Sequence, residues 1–203
     1  MISKTKQHWE NVYKTKTPDQ VSWTQEIPKT SLDFINSFQL SKEASIIDIG
    51  GGDSHLVDFL LEQGYTNITV LDISGKALER AKKRLGKKEN MVTWIESNVI
   101  DFNPEKTYDI WHDRAAFHFL TSQDQISSYI SLTNRHVEKH LIIGTFSVNG
   151  PQKCSGLEIN QYSKNKMSSI FNKGFEKTKC LEEIHHTPFN TTQNFIFCSF
   201  KKR

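Results

Sequence analysis

The segment Ser45-Ile-Ile-Asp-Ile-Gly-Gly-Gly-Asp-Ser54 constrains this chain more than any other. Its first half is a short apolar run with a single acid, the pattern of a strand buried on both faces of a parallel sheet. Its second half sets three glycines between that strand and a helical stretch over residues 54–63, closed by Gly64. Glycines in such a place let the backbone turn sharply and come close to a ligand, and the helix behind them offers unpaired N–H groups. The same strand–helix pattern then recurs. A second buried strand is predicted at 68–74, a helix at 76–85 ending at Gly86, and strands at 92–97 and 108–113. Thr121 and Asp124 have the spacing of a capping box, with Ile126, Tyr129, Ile130, Thr133 and Val137 as the helical stripe behind them. A fifth strand at 140–147 and a helix at 164–172 follow. Two last strands, roughly 175–184 and 194–200, are joined by too few residues for a crossover helix, so they pair antiparallel. Upstream, Thr30 and Asp33 also have capping-box spacing, ahead of a short helix with Leu32, Ile35 and Phe38 on one side. Such alternation means an α/β fold. We expect a mostly parallel seven-stranded sheet, helices on both faces and a terminal antiparallel hairpin. Right-handed crossovers bring the C-terminal ends of the parallel strands to one edge, where ligands bind.

A chain of 203 residues is long enough for one domain with a sizeable core. We expect a single domain over 1–203, with 1–40 as an N-terminal helical cap or lid on a core at 41–203. The polar N-terminal stretch carries Trp9, Tyr13 and Trp23, and three such rings are costly to leave in water. Trp9 and Tyr13 are four apart and share a helix face. A net charge of +3 is too small to argue for nucleic acid or a membrane surface, and the basic run around Lys82, Lys83, Arg84, Lys87 and Lys88 reads as a solvated helix face. Cys154, Cys180 and Cys198 fit no metal-site spacing, and their odd number closes no disulfide set, so reduced thiols are expected. No apolar run has signal-peptide or membrane-span character. A cytoplasmic protein, monomeric or weakly dimeric, is the expectation. His185 and His186 suggest a metal to the eye, but neighbours in a strand point to opposite faces, and no metal site is expected.

Twenty residues past Gly52 stands Asp72, at the end of the second strand. A carboxylate there can accept two hydrogen bonds from ribose hydroxyls. A dinucleotide fingerprint would want glycine where His55 stands, and Asp48 sits badly beside a pyrophosphate. An acid at 48 suits a cofactor with a cationic amino-acid end. With Asp48, Gly50 and Gly52 matching the pattern (D/E)-x-G-x-G-x, residues 45–202 resemble the class I S-adenosylmethionine-dependent methyltransferases, whose fold is Rossmann-like. The resemblance implies S-adenosyl-L-methionine as cofactor, with Gly50, Gly51 and Gly52 along its methionine part. It also implies Asp72 and Ile73 at the ribose, and Asp48 acting more indirectly, near the amino group. Asn98 and Val99 would flank the adenine, although the family more often has Asp at the position of Asn98. Trp9 and Tyr13 would lie over the cofactor.

Asp113-Arg114-Ala115-Ala116 is similar to the D-R-(G/A)-A segment of thiopurine-type methyltransferases, which act on small sulfur, selenium or tellurium acceptors. The glycine loop and residues 64–74 look about equally like small protein-lysine methyltransferases. A small-molecule acceptor is the first expectation and a protein acceptor the second; a cofactor-binding module without turnover and a nicotinamide-dependent oxidoreductase stand further off. Arg114 would favour a thiolate, the reactive form of a thiol. His112 or His118 would take a proton from an amine, and Asp113 would orient either. The loop at 147–162, with Lys153 and Cys154, is expected on the ligand edge.

Overall fold

The computed structural model describes residues 3–203. Five strands run parallel: β1 (Ile46–Ile49), β2 (Ile68–Asp72), β3 (Val92–Glu96), β4 (Tyr108–Arg114) and β5 (Val137–Phe146). A two-residue pair, β6 (Lys153–Cys154) and β7 (Leu157–Glu158), stands apart as a small antiparallel sheet. β8 (Phe175–His186) and β9 (Thr192–Lys202) complete the main sheet, whose order is β3-β2-β1-β4-β5-β9-β8, with β9 antiparallel to both neighbours. The order reverses between β1 and β4, and a crevice opens at such a switch point beyond the strand ends.

The helices are α1 (Lys4–Thr15), α2 (Lys29–Ser37), α3 (Leu56–Glu62), α4 (Gly75–Leu85), α5 (Gln123–His136) and α6 (Lys164–Phe171). Strand side chains alternate between the two faces. Ile46, Ile68, Val70 and Ile110 pack with Leu32, Leu56, Leu60 and Leu78 from α2, α3 and α4. Ile47, Trp111, Leu141 and Ile143 pack with Tyr129, Leu132, Met167 and Phe171 from α5 and α6. The sheet is thus covered on both faces, as the alternation predicts. The passage from β3 to β4 has no α-helix, only a 3-10 turn at Val99–Asp101.

Four expectations change. The capping box before α5 is Ser122 with Gln125, one residue later than predicted; the Ser122 hydroxyl accepts from Gln125 N. Thr30 caps nothing: Pro28 precedes the first turn of α2, and Thr30 lies inside the helix, where Lys29 pairs with Asp33. β5 begins at Val137, so the last residue of the predicted stripe belongs to a strand. Finally, Cys180 and Cys198 are not free thiols. They are register partners across β8 and β9, with Cα atoms 4.1 Å apart, and a disulfide joins them; Cys154 is the remaining free cysteine. Among the described residues no helix is long and apolar enough to cross a membrane.

Candidate active site

A cavity of about 210 Å³ opens where β1, β2 and β4 end. The glycine loop forms its floor. Gly50 and Gly52 have φ of +65° and +37°, which a side chain rarely adopts. A Cβ at Gly50 would lie 2.8 Å from the Cβ of Ala116, and one at Gly52 would lie 2.6 Å from Asp72 Oδ2. The loop is therefore pinned between the turn after β4 on one side and an acid on the other, and leaves a cradle bounded by backbone.

Two buried acids border that cradle. Asp72 accepts from Ser74 N at 2.8 Å. Burial pushes its pKa up to about 7, with the charges of Asp48 and Glu10 adding to the shift against the backbone bond from Ser74. Asp48 bonds to His112. Asn98 and Val99 follow β3 along the wall, and the Asn98 side-chain oxygen also caps the Val99–Asp101 turn by accepting from Ile100 N. Asn in place of the commoner Asp serves that cap and keeps an N–H donor. Ile73 lies on the same wall. These donors, the carboxylate pair and the backbone cradle fit a nucleoside carrying a cationic amino-acid tail.

The roof comes from the N-terminal segment. Trp9 and Tyr13 lie one turn apart on α1, with ring centroids 6.3 Å apart. Trp9 also meets Trp23 at 5.6 Å and Phe119 at 5.1 Å. All four rings line the cavity. Burial, with Asp72 next, raises the Tyr13 pKa, so its hydroxyl stays neutral. Polar contacts latch α1 down. Glu10 accepts from Gly75 N at 2.7 Å at the start of α4, where a carboxylate is favoured. His8 bonds Ser155 at 3.2 Å, and Lys6 pairs with Glu96. Neither Phe119 nor Glu10 carries a sequence signal for this place. The first reads as one more core ring, and the partner of the second is 65 positions away.

The segment after β4 divides. Arg114 lines the cavity: Nη1 donates to the Trp23 carbonyl at 3.0 Å, and the guanidinium lies 4.9 Å from the Phe195 ring. Its Nε and Nη2 are inaccessible and without partners among the described residues. Burial lowers its pKa to about 10, Glu183 opposing, so it remains a cation at neutral pH. Asp113 turns the other way. It is fully buried and accepts from Ala116 N, Phe117 N and the Tyr129 hydroxyl, at 3.1, 3.0 and 2.7 Å. His118 is also fully buried, stacked 4.7 Å from Phe146, and forms no part of the cavity wall. Burial, then Arg114, lowers its pKa to about 3, so it stays neutral. His112 reaches the wall, with both ring nitrogens engaged. The sequence thus groups four residues that the structure separates into two on the wall, Arg114 and His112, and two behind it.

The loop after β5 reaches the site through Cys154, whose thiol burial raises to about 12, whereas Lys153 pairs outward with Glu158 at 2.7 Å. His185 is buried on the Ser22 carbonyl at 2.7 Å and His186 is exposed, as alternation along a strand requires.

The comparisons with known proteins agree with this geometry. Residues 47–141 match a family model described as a methyltransferase domain. The chain is 24% identical over 184 residues to the EEF1A lysine methyltransferase 2 of Danio rerio, covering 85% of this chain and 75% of that protein. It is 30% identical over 90 residues to malonyl-[acyl-carrier protein] O-methyltransferase 1 of Ilyobacter polytropus, covering 44% of this chain and 33% of that one. Its fold superposes with a TM-score of 0.70 on the N-methyltransferase NodS of Bradyrhizobium japonicum in complex with S-adenosyl-L-homocysteine, at 14% identity over 98% of this chain and 99% of that one. The glycine cradle at the sheet switch point, the acid at the end of β2 and these similarities together indicate an S-adenosylmethionine-dependent methyltransferase, with the fold of the class I enzymes of that kind.

Proposed function

We propose that this enzyme methylates a small-molecule acceptor that reacts as an anion or soft nucleophile, a thiol being the first choice. Arg114 carries the reading. A guanidinium cation on the wall of a cavity lined by Trp9, Trp23 and Phe119 matches a flat anion. It repels the ammonium of a lysine side chain. Available bases are few: His112 is tied at both nitrogens, Asp113 is engaged at both oxygens, and His118 lies off the wall. A nucleophile that already has its lone pair free needs none of them.

In this reading Gly50, Gly51 and Gly52 hold the methionine part of the cofactor, with Asp48 toward its amino group. Asp72 and Ile73 take the ribose, and Asn98 and Val99 the adenine. Bound there, S-adenosylmethionine would supply an activated methyl on its sulfonium, open to displacement by the acceptor's lone pair with the carbon–sulfur electron pair left on sulfur. Arg114 holds the acceptor's charge. Residues 1–40 act as a cap on the core at 41–203, and Trp9 and Tyr13 keep water out. A second reading, methylation of a protein lysine, is favoured by the kinship with a lysine methyltransferase over 85% of this chain.

The test is a panel. The purified enzyme is given S-adenosylmethionine with 2-naphthalenethiol, 2-naphthylmethylamine or a cell lysate, and products are read by mass spectrometry. The expected product is the methyl thioether. Arg114→Gln slows its formation by more than about tenfold while affinity for S-adenosylhomocysteine stays within about twofold. Methyl-lysine in the lysate with no methylated thiol would favour the second reading.

A further inference from the structure

Asp48, His112 and Ser31 form a buried chain that ends on the cavity wall. Asp48 on β1 and His112 on β4 are register partners, so the two side chains leave the sheet on one face, side by side. His112 Nδ1 lies 2.7 Å from Asp48 Oδ1, and Nε2 lies 2.9 Å from Ser31 Oγ on α2. The three residues are 3%, 2% and 1% exposed, in that order. A carboxylate can only accept, so Nδ1 carries a proton toward Asp48, and Nε2 shares a second hydrogen bond with the Ser31 hydroxyl. Both ring nitrogens are satisfied, and the orientation of the ring is fixed by its partners.

The other carboxylate oxygen is not part of this chain. Asp48 Oδ2 leans over the glycine loop, where a Cβ on Gly51 would lie 2.6 Å from it, and it has no donor among the described residues. One oxygen is therefore held from behind and the other faces the cradle. We propose that His112 is a positioning residue: it sets the Asp48 carboxylate so that Oδ2 receives the cationic amino group of the cofactor's amino-acid end, and Ser31 sets His112. The imidazole, held by Ser31 on its other nitrogen, orients the acid through a single N–H and leaves Oδ2 free.

Ser31 gives the chain a second consequence. It belongs to α2, the helix that follows the Trp23 segment of the roof, so the cap and the amino-acid end of the cofactor site share one hydrogen-bonded line. None of this is visible at the spacing level, since Ser31 and His112 are 81 positions apart.

The inference rests on the cofactor reading of the glycine loop, and two ligands separate the two. S-adenosylhomocysteine has the amino-acid end; 5′-methylthioadenosine has the same nucleoside without it. Both are titrated calorimetrically into the wild type and into His112→Ala, His112→Asn and Ser31→Ala. His112→Ala is expected to weaken S-adenosylhomocysteine by roughly tenfold or more and 5′-methylthioadenosine by less than about twofold. His112→Asn, whose amide N–H can reach the carboxylate, recovers part of the loss. Ser31→Ala, which removes one oxygen and serves where a ring deletion fails to fold, gives a smaller loss with the same selectivity. Equal losses for both ligands make the chain a packing feature and overturn the proposal, as does unchanged affinity for S-adenosylhomocysteine. A wild type that binds neither ligand overturns the cofactor reading, and the positioning role falls with it.

Discussion

Asp72 shows how one side chain can be legible in the sequence while its chemistry is not. Its place, twenty residues past the last glycine of the loop and at the end of a buried strand, follows from spacing. Its pKa of about 7 does not, because burial and the charges of Asp48 and Glu10 exist only once the chain has folded. The sign of the consequence is definite. Ribose hydroxyls donate to an ionised carboxylate, so below about pH 7 the group must lose a proton before it can bind. Affinity for S-adenosylhomocysteine should fall as the pH drops from 8 to 6, approaching tenfold per unit on the acid side. Titrations in buffers of differing ionisation enthalpy should show a proton released at pH 6.5. Asp72→Asn should bind more weakly and lose the slope. A wild-type affinity flat across that range would remove Asp72 from the ribose. Arg114 and His118 make the complementary point: four residues apart in one segment, they differ because the turn after β4 sends one to the wall and the other off it, stacked on Phe146.

That turn belongs to the scale of elements. Ala115 is left-handed, with φ of +64°, a conformation costly for a residue with a Cβ. The carboxylate of Asp113 holds it by taking the N–H groups of Ala116 and Phe117, while Tyr129 anchors the same carboxylate and itself accepts from Trp111 Nε1 at 3.0 Å. Ala116 in turn packs on Gly50. Asp113 thus shapes the site from behind. Asp113→Ala orphans two backbone donors and should cost about 3 kcal/mol in urea unfolding, whereas a value within about 0.5 kcal/mol of wild type would mean that the turn holds itself. Helices and strands with strong periodicity stand where the sequence predicts them. The errors fall at their ends. Thr121 and Thr30 both have the spacing, yet the box before α5 is Ser122 with Gln125, whose longer side chain reaches back to the entrance, and α2 starts after Pro28 with no side-chain cap.

Across the whole molecule, the parallel core was legible because burial leaves near-continuous apolar runs, and the antiparallel pair because the link between its strands is too short for a crossover helix. The disulfide was not. An odd number of cysteines argues against a closed set, but only the register of β8 on β9 shows that Cys180 and Cys198 stand opposite each other. The cross-link closes a loop with a sequence separation of 18, which should contribute about 3 kcal/mol. Unfolding in urea with and without a phosphine reductant measures it, and coincident midpoints would show that the bond adds nothing to stability. Neither cysteine belongs to the cavity wall, so reduction should leave affinity for S-adenosylhomocysteine unchanged.

The order of the sheet also bears on how it is assembled. β9 lies between β5 and β8, and β8 has no other neighbour. β8 precedes β9 along the chain, yet it cannot join the sheet until β9 has docked on β5, where Phe195 pairs with Phe146. Closing that long loop is slow compared with forming the neighbouring β8–β9 hairpin. The topology therefore predicts that the faces completed by Phe195, Phe197 and Phe200 are sealed by the arrival of a hairpin rather than by strands added one at a time.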